Sequence, residues 1–306
     1  MFPMADLHTH PFLFRGRIDL PRIRESGVKL ITGCVYAFNR LPYRSCFEAA
    51  RAQIEKFHRW IAENSDLLAH AKSPSEIEPI ISSGKIALLL ALEGGHHLGG
   101  RLENLSYFKE QGIFYMTLVH FLNTKIAKSS LFARFSPEPA LRSFGREVIR
   151  EMNRKGIIVD VAHCSERAFW EVMECSKVPP IYSHGASKAI CRHHRNLTDD
   201  QAAALAKRGG LLGLILYPWY LRRHSFRATM EDLLRHLERW LAVAGPDAVS
   251  IGSDIGGVMP LREVGDYSGM PRLQEAIVKA FGEATAKKIL FENVINYLKK
   301  CWQRPV

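Results

Sequence analysis

The sequence predicts an α/β chain folded as one (β/α)8 TIM barrel, and three observations predict it. Eight short apolar runs recur along the 306 residues. Helix-patterned segments separate most of them. The runs are largely continuous rather than alternating, as expected for parallel strands covered on both faces. Barrels of this kind reach such a length as a single domain. Residues 1–306 are therefore read as one domain, with no linker, internal repeat or low-complexity stretch.

In chain order the runs are 4–9 (MADLHT), 28–37 (VKLITGCVYA), 86–92 (IALLLAL), 114–121 (FYMTLVHF), 157–163 (IIVDVAH), 180–184 (PIYSH), 211–217 (LLGLILY) and 248–254 (AVSIGSD). Among the intervening segments, 45–63 places Phe47, Ala50, Ile54, Phe57 and Ile61 on one helix face. In 142–155, Phe144, Val148 and Met152 do the same, and Gly156 supplies a stop. Asp199 and Asp200 are placed to start a short helix over 200–208. In 231–244, Leu233, Leu234, Leu237, Trp240 and Leu241 form an apolar face ended by Gly245-Pro246. The Gly- and Pro-rich segment 255–272 reads as the last strand-to-helix loop.

Barrels of this class carry their sites at the C-terminal ends of the strands. The first run ends in His8-Thr9-His10, the third runs into Glu93, and the fourth, fifth and sixth end at His120, His163 and His184. The eighth ends at Asp254. Strand residues two apart face one side, so His8 and His10 are placed to grip one ion together. Glu93 follows an otherwise apolar stretch, where an unpaired carboxylate is costly. Imidazoles and a carboxylate are zinc-type ligands, so these residues form a candidate metal site. His58, His70, His224 and His236 are expected to face solvent. His96 and His97 are expected to line the pocket without binding metal.

The formal net charge is +11. Arg142, Arg146, Arg150 and Arg154 fall on one helix face, with Glu147 and Glu151 beside them. Segments 192–195 and 222–227 are also basic, but no nucleic-acid motif accompanies them. A solvated surface is the expectation, with neither a nucleic-acid nor a membrane partner. The six cysteines form no C-x-x-C pair and read as reduced, buried thiols. No run approaches 18 apolar residues, and the N-terminus lacks a leader pattern, so a cytoplasmic location is expected.

Several strings then become recognisable: DLPRIRESGV (19–28), ALEGGHHLGG (91–100), YMTLVHFLN (115–123), FGREVIREMNRKGIIVDVAHCS (144–165), IYSHGA (181–186), CRHHRNLTDD (191–200) and AVSIGSDIGG (248–257). In this order they resemble the membrane (renal) dipeptidase family of zinc peptidases, over about residues 5–298. The resemblance implies two zinc ions bridged by Glu93, with His8 as a ligand of the first and His163 and His184 as ligands of the second. It implies that His120 contacts the substrate and its tetrahedral intermediate, that Arg195 holds the substrate carboxylate, and that Asp254 is the acid/base. It also leaves room for a homodimer.

The chain departs from that pattern in places. His10 stands where the family usually has aspartate, removing one negative charge from the first metal's ligands, although imidazole still ligates zinc. The loop before Asp19 is short. Ala127-Lys128-Ser129 replaces an "ADS"-like string, and Cys191-Arg192-His193-His194-Arg195 replaces a "CxHPRN"-like one. DLHTHP also looks like the wider amidohydrolase superfamily and the PHP phosphoesterases.

The expected reaction is amide hydrolysis of a small dipeptide by a water or hydroxide held between two zinc ions, with Asp254 moving the proton. The alternative is another metal-dependent hydrolase on the same barrel, acting on an N-acyl amino acid, cyclic amide, lactone or phosphoester. A non-catalytic metal- or nucleic-acid-binding barrel ranks third, supported only by the charge.

Overall fold

The computed structural model describes residues 2–13, 18–38, 44–132, 140–223 and 225–302. Among these, nine strands form one parallel sheet. They are β1 (Met4–Thr9), β2 (Val28–Val35), β3 (Leu68–His70), β4 (Ile86–Glu93), β5 (Ile113–Thr117), β6 (Ile158–Asp160), β7 (Ile181–Gly185), β8 (Leu211–Leu214) and β9 (Val249–Ile251). The order is β1-β2-β4-β5-β6-β7-β8-β9, with β3 attached to β4. This is the expected barrel plus one short strand that the apolar pattern does not reveal. β3 pairs with the first half of β4 and β5 with the second, while β2 takes the opposite edge.

The ring closes just beyond β9. The Asp254 N–H donates to the His8 carbonyl at 2.9 Å, and the His10 N–H donates to the Ile255 carbonyl at 2.9 Å. The Thr9 hydroxyl adds a bond to the same Ile255 oxygen at 2.8 Å.

All eight residues of β4 are buried, which is why its sequence is an unbroken apolar run ending in glutamate. Its side chains nevertheless divide between two cores. Leu88, Leu90 and Leu92 join the larger cluster against the outer helices. Ala87, Leu89 and Ala91 join a smaller one that also holds Ala5, Leu7, Ile181 and Leu211 from other strands. The helix Asn293–Cys301 contributes Val294, Tyr297, Leu298 and Cys301 to this second cluster. Asn293 donates to the carbonyls of Pro246 and Val249, and Tyr297 to that of Pro179, all at the N-terminal ends of strands. This end of the barrel is therefore plugged, and the opposite mouth is left for chemistry.

The expected helices form with small shifts. They are Arg44–Glu63, Ser143–Lys155, Asp199–Lys207 and Met230–Ala244. Gly156 ends the second in a left-handed conformation (φ 70°), where its lack of a Cβ avoids strain. Thr198, rather than an aspartate, caps the third, and its hydroxyl and the Gln201 side chain satisfy each other's backbone N–H.

On Ser143–Lys155, Glu151 pairs with Arg154 and Lys155 at 2.6 and 3.2 Å, so part of the basic row is neutralised at the surface. No helix among the described residues is long and apolar enough to cross a membrane. All six cysteines are free thiols.

Two groups of expectations are corrected. Five runs end earlier as strands than their apolar pattern suggests: β2 stops at Val35, β5 at Thr117, β6 at Asp160, β8 at Leu214 and β9 at Ile251. The apolar residues continue because the loops remain buried, although the ladder has stopped.

His236 is not solvent-facing. It is fully buried, accepts from the Ser187 N–H at 3.0 Å and sits 2.9 Å from the Leu221 carbonyl. His58 and His70 are half-buried. His58 is 2.9 Å from the Gln111 side-chain oxygen. His224 lies outside the described residues.

Candidate metal centre

Glu93 is the last residue of β4 and is 2% exposed. Its two oxygens face different histidines. Oε1 lies 3.2 Å from His163 Nε2 and 3.5 Å from both His8 Nε2 and His184 Nε2. Oε2 lies 3.2 Å from His10 Nε2 and 3.6 Å from His120 Nε2. Asp254 Oδ1 approaches the same side, 3.6 Å from His10 Nε2 and 3.9 Å from His8 Nε2. All seven polar residues predicted at the strand ends are thus brought together, although His120, His163 and Asp254 sit three residues beyond their ladders.

That last step uses unusual backbone. His163 (φ 64°) and Asp254 (φ 60°) are the two non-glycine residues with positive φ among those described. Such a conformation is disfavoured for an L side chain and persists only where surroundings enforce it. It turns both side chains back over the barrel mouth.

Beneath each lies a buried aspartate. Asp160, at the end of β6, accepts from Thr117 Oγ1 and Ser183 Oγ (both 2.6 Å), and from the backbone N–H of Ala162 (3.0 Å) and Ser183 (2.9 Å). Asp6, in β1, accepts from the Ser253 N–H (2.8 Å) and hydroxyl, from Tyr267 (2.7 Å) and from the His8 N–H (3.3 Å). Burial pushes both carboxyls above their ordinary range, while these donors pull them back. Each clamp grips the serine immediately before a site residue, Ser183 before His184 and Ser253 before Asp254. Gly213 and Gly252 make room here, since a Cβ on either would collide with the Ser183 carbonyl oxygen.

The rings are also oriented from behind. His8 Nδ1 lies 2.7 Å from the Tyr115 hydroxyl and 3.2 Å from Cys34 Sγ. Tyr115 has one proton, and the Leu7 carbonyl at 3.2 Å can take it. The phenol oxygen then accepts from His8 Nδ1–H, leaving the Nε2 lone pair aimed at the centre. His184 Nδ1 is held 2.9 Å from Ser183 Oγ. Sequence reasoning missed Asp6, Asp160, Tyr115 and Cys34.

His96 and His97 are corrected as well. They are not cavity walls. His97 Nε2 accepts from the Ala37 N–H at 3.0 Å, and His96 Nε2 lies 2.7 Å from the Ala37 carbonyl. They fix the segment after β2, which lays Tyr36 against His120 with ring centroids 4.6 Å apart.

The donor set fits zinc. Ligand atoms about 2.0–2.1 Å from a tetrahedral zinc stand about 3.3–3.4 Å from one another. The Nε2 atoms of His8 and His10 are 3.2 Å apart, and those of His163 and His184 are 3.0 Å apart. Burial drives the His163 and His184 rings well below the ordinary imidazole range and His120 to about 4, so all three are neutral. Neutral imidazole is the form that binds metal. Burial also opposes charge on His8, but the adjacent Cys34 and Glu93 outweigh it and raise that ring well above its usual value. Its proton is one that a cation would displace. Burial works to raise Glu93, yet the facing His120 and His10 hold it well below the carboxylate range. Burial brings Asp254 up to about 6 against the pull of His8 and His10.

The remaining predicted residue, Arg195, is 3% exposed and lines the same cavity of about 610 Å³. One of its amino groups donates to the His184 carbonyl at 3.3 Å, and its Nε has no partner.

A parallel barrel whose C-terminal mouth gathers five imidazoles around one buried carboxylate belongs to the class of metal-dependent hydrolase barrels. Comparison with known proteins narrows the class. The family model described as membrane dipeptidase (peptidase family M19) matches residues 3–303, and the chain belongs to that family of metallopeptidases. The chain is 29% identical over 301 residues to dipeptidase tcpJ of Claviceps purpurea, covering 93% of this chain and 69% of that protein. It is 29% identical over 307 residues to dipeptidase 3 of Rattus norvegicus, covering 98% and 61%. It thus spans about two thirds of the length of these curated relatives. Among solved structures it is similar to dipeptidase AC, a metallopeptidase of family M19, with 25% identity, a TM-score of 0.90, and 99% of both chains covered.

Proposed function

We propose that this chain is a zinc-dependent dipeptidase, a single hydrolase domain over residues 1–306 acting on small dipeptides. The observation that carries the reading is the central place of Glu93 among the four histidines, with Oε2 3.2 Å from His10 Nε2 and Oε1 3.2 Å from His163 Nε2 and 3.5 Å from His8 Nε2 and His184 Nε2. His8, His10 and Glu93 would hold one zinc ion, and Glu93, His163 and His184 a second, with Glu93 bridging them. When bound, such a pair polarises a carbonyl and makes water a nucleophile at neutral pH.

The protein's own groups supply the rest. Arg195 lines the cavity and has one buried N–H without a partner, and its planar fork suits a free C-terminal carboxylate. That favours dipeptides over proteins. His120 stands over Glu93 at 11% side-chain exposure, where a neutral imidazole can donate to the oxyanion that develops as the carbonyl carbon becomes tetrahedral. Asp254 accepts a proton as the C–O bond forms and returns it to the amide nitrogen as the C–N bond breaks. The products are a free carboxylate and a free amine. A cytoplasmic location belongs to the same proposal.

The test is hydrolysis of a panel of L-L and L-D dipeptides, N-acyl amino acids and phosphoesters with zinc present. The expected result is turnover of dipeptides in preference to the others. Arg195→Lys should raise KM for dipeptides by about tenfold, while leaving an uncharged amide analogue nearly unaffected, because a bidentate site distinguishes the two cations. Equal effects on both would sink the carboxylate assignment.

A further inference from the structure

The cavity above the proposed metal centre has a wall that the reaction does not use. Tyr217, Trp219, Tyr220 and Phe226 follow β8 and line the cavity beside Arg195. The Arg195 guanidinium sits 5.6 Å from the centre of the Tyr220 ring. From there the rings continue outward, with Tyr220 5.0 Å from Tyr217, Tyr217 6.2 Å from Phe226, and Trp219 4.8 Å from Phe226. Exposure rises along this ladder, from 9% at Tyr220 to 55% at Phe226, and Met259 joins the rim at 51%. Apart from Glu93, Asp254, Arg195 and the histidines, the described lining carries no charged side chain.

Apolar surface left exposed in one contiguous patch at the mouth of a cavity marks a surface that something covers. The position of Arg195 says what. A substrate whose carboxylate meets Arg195 has its C-terminal side chain nearest the same arginine, and Tyr220 is the ring packed there. We infer that the cavity selects dipeptides whose C-terminal residue has a bulky apolar or aromatic side chain, with the Tyr220–Tyr217–Trp219–Phe226 wall as the specificity subsite. This rests on the dipeptidase reading above and adds a substrate class to it. A glycine or an acidic side chain at that position would leave the rings wet or place a charge against them.

The test uses the full chain loaded with zinc. It compares kcat/KM for Ala-Phe in both configurations of Phe, for Ala-Gly, and for Phe-Gly. An apolar pocket distinguishes a large from a small group by about 10–200-fold. Ala-Phe should therefore exceed Ala-Gly by about tenfold or more, and Phe-Gly should show no comparable gain. Phe226 is exposed, so Phe226→Ala leaves the core intact, and it should cut the Ala-Phe to Ala-Gly ratio by about threefold or more. Equal rates for Ala-Phe and Ala-Gly, a gain carried by Phe-Gly instead, or a ratio unmoved by Phe226→Ala would each overturn the subsite while leaving the dipeptidase reading intact. Turnover of none of these dipeptides overturns both.

Discussion

Two aspartates support the site from opposite sides of the barrel, and they do so differently. Asp160 joins β6 to β7, gripping Ser183 by both backbone and hydroxyl, and Ser183 passes the contact on to His184 Nδ1. Asp6 joins β1 to the chain beyond β9, gripping Ser253 in the same two ways, but Ser253 precedes a carboxylate. Nothing relays from Asp6 to the His8 ring, which is held instead by Tyr115 and Cys34. On one side a single carboxylate fixes both backbone and ring. On the other those tasks fall to separate groups. Damage should therefore concentrate on the His163/His184 side and be shared out on the His8/His10 side.

The largest effect belongs to the group common to both sides. Glu93→Gln keeps the shape but halves the oxygens able to face a cation. It should lower kcat/KM by more than about 100-fold, beyond the range seen when only supporting groups are changed. Elemental analysis should find fewer than two ions per chain. Two ions retained at full affinity would remove the bridge and with it the division into two sides.

Asp160→Asn and Asp6→Asn come next and test the comparison directly. An amide cannot accept from all of the O–H and N–H donors on its clamp, and one of its own protons faces them. Each change should cost about 1–3 kcal/mol for the buried donors it strands. Chelator titration separates the ions. Asp160→Asn should weaken one zinc by about 10–100-fold through His184, the scale of an outer partner of a metal-bound histidine. Asp6→Asn should leave zinc affinity closer to wild type and act mainly on kcat, because it positions Asp254. If Asp6→Asn lost zinc as readily as Asp160→Asn, the two clamps would be equivalent and the distinction drawn above would fail.

How much of this was legible follows from what each residue answers to. The barrel and its metal-facing side chains were readable because strands buried on both faces are apolar throughout, so Glu93 after LLLAL and the histidines after their runs stood out against them. Asp6 and Asp160 are also lone carboxylates, within MADLHT and IIVDVAH, yet they were missed, because they do not end their runs and nothing beside them announces a partner. Their partners Ser253 and Ser183 lie 247 and 23 residues away and meet them only once the barrel closes. β3 escaped because three residues carry no period. The reach of His163 and Asp254 past their strands depends on positive φ, which neither residue type announces. His236 misled because it lies on a helix with acidic neighbours, while its burial is set by Ser187 and Leu221 from elsewhere in the fold.

The smallest effect should come from Tyr115→Phe. The hydroxyl it removes is the nearer of the two groups at His8 Nδ1, at 2.7 Å against 3.2 Å for Cys34 Sγ. The ring itself is fully buried, and phenylalanine preserves its packing. With Cys34 still in place, Nδ1 keeps a partner, though sulfur is a weak one. The loss in zinc affinity should therefore fall at or below the tenfold end of the range for outer partners. Cys34→Ala alone should cost less. Together the two changes should cost more than their sum, since groups sharing one partner couple. A double-mutant cycle read by chelator titration measures this. Additive losses would mean that Tyr115 and Cys34 do not back each other up, and a Tyr115→Phe loss as large as that of Asp160→Asn would mean that the His8 side, too, hangs on one group.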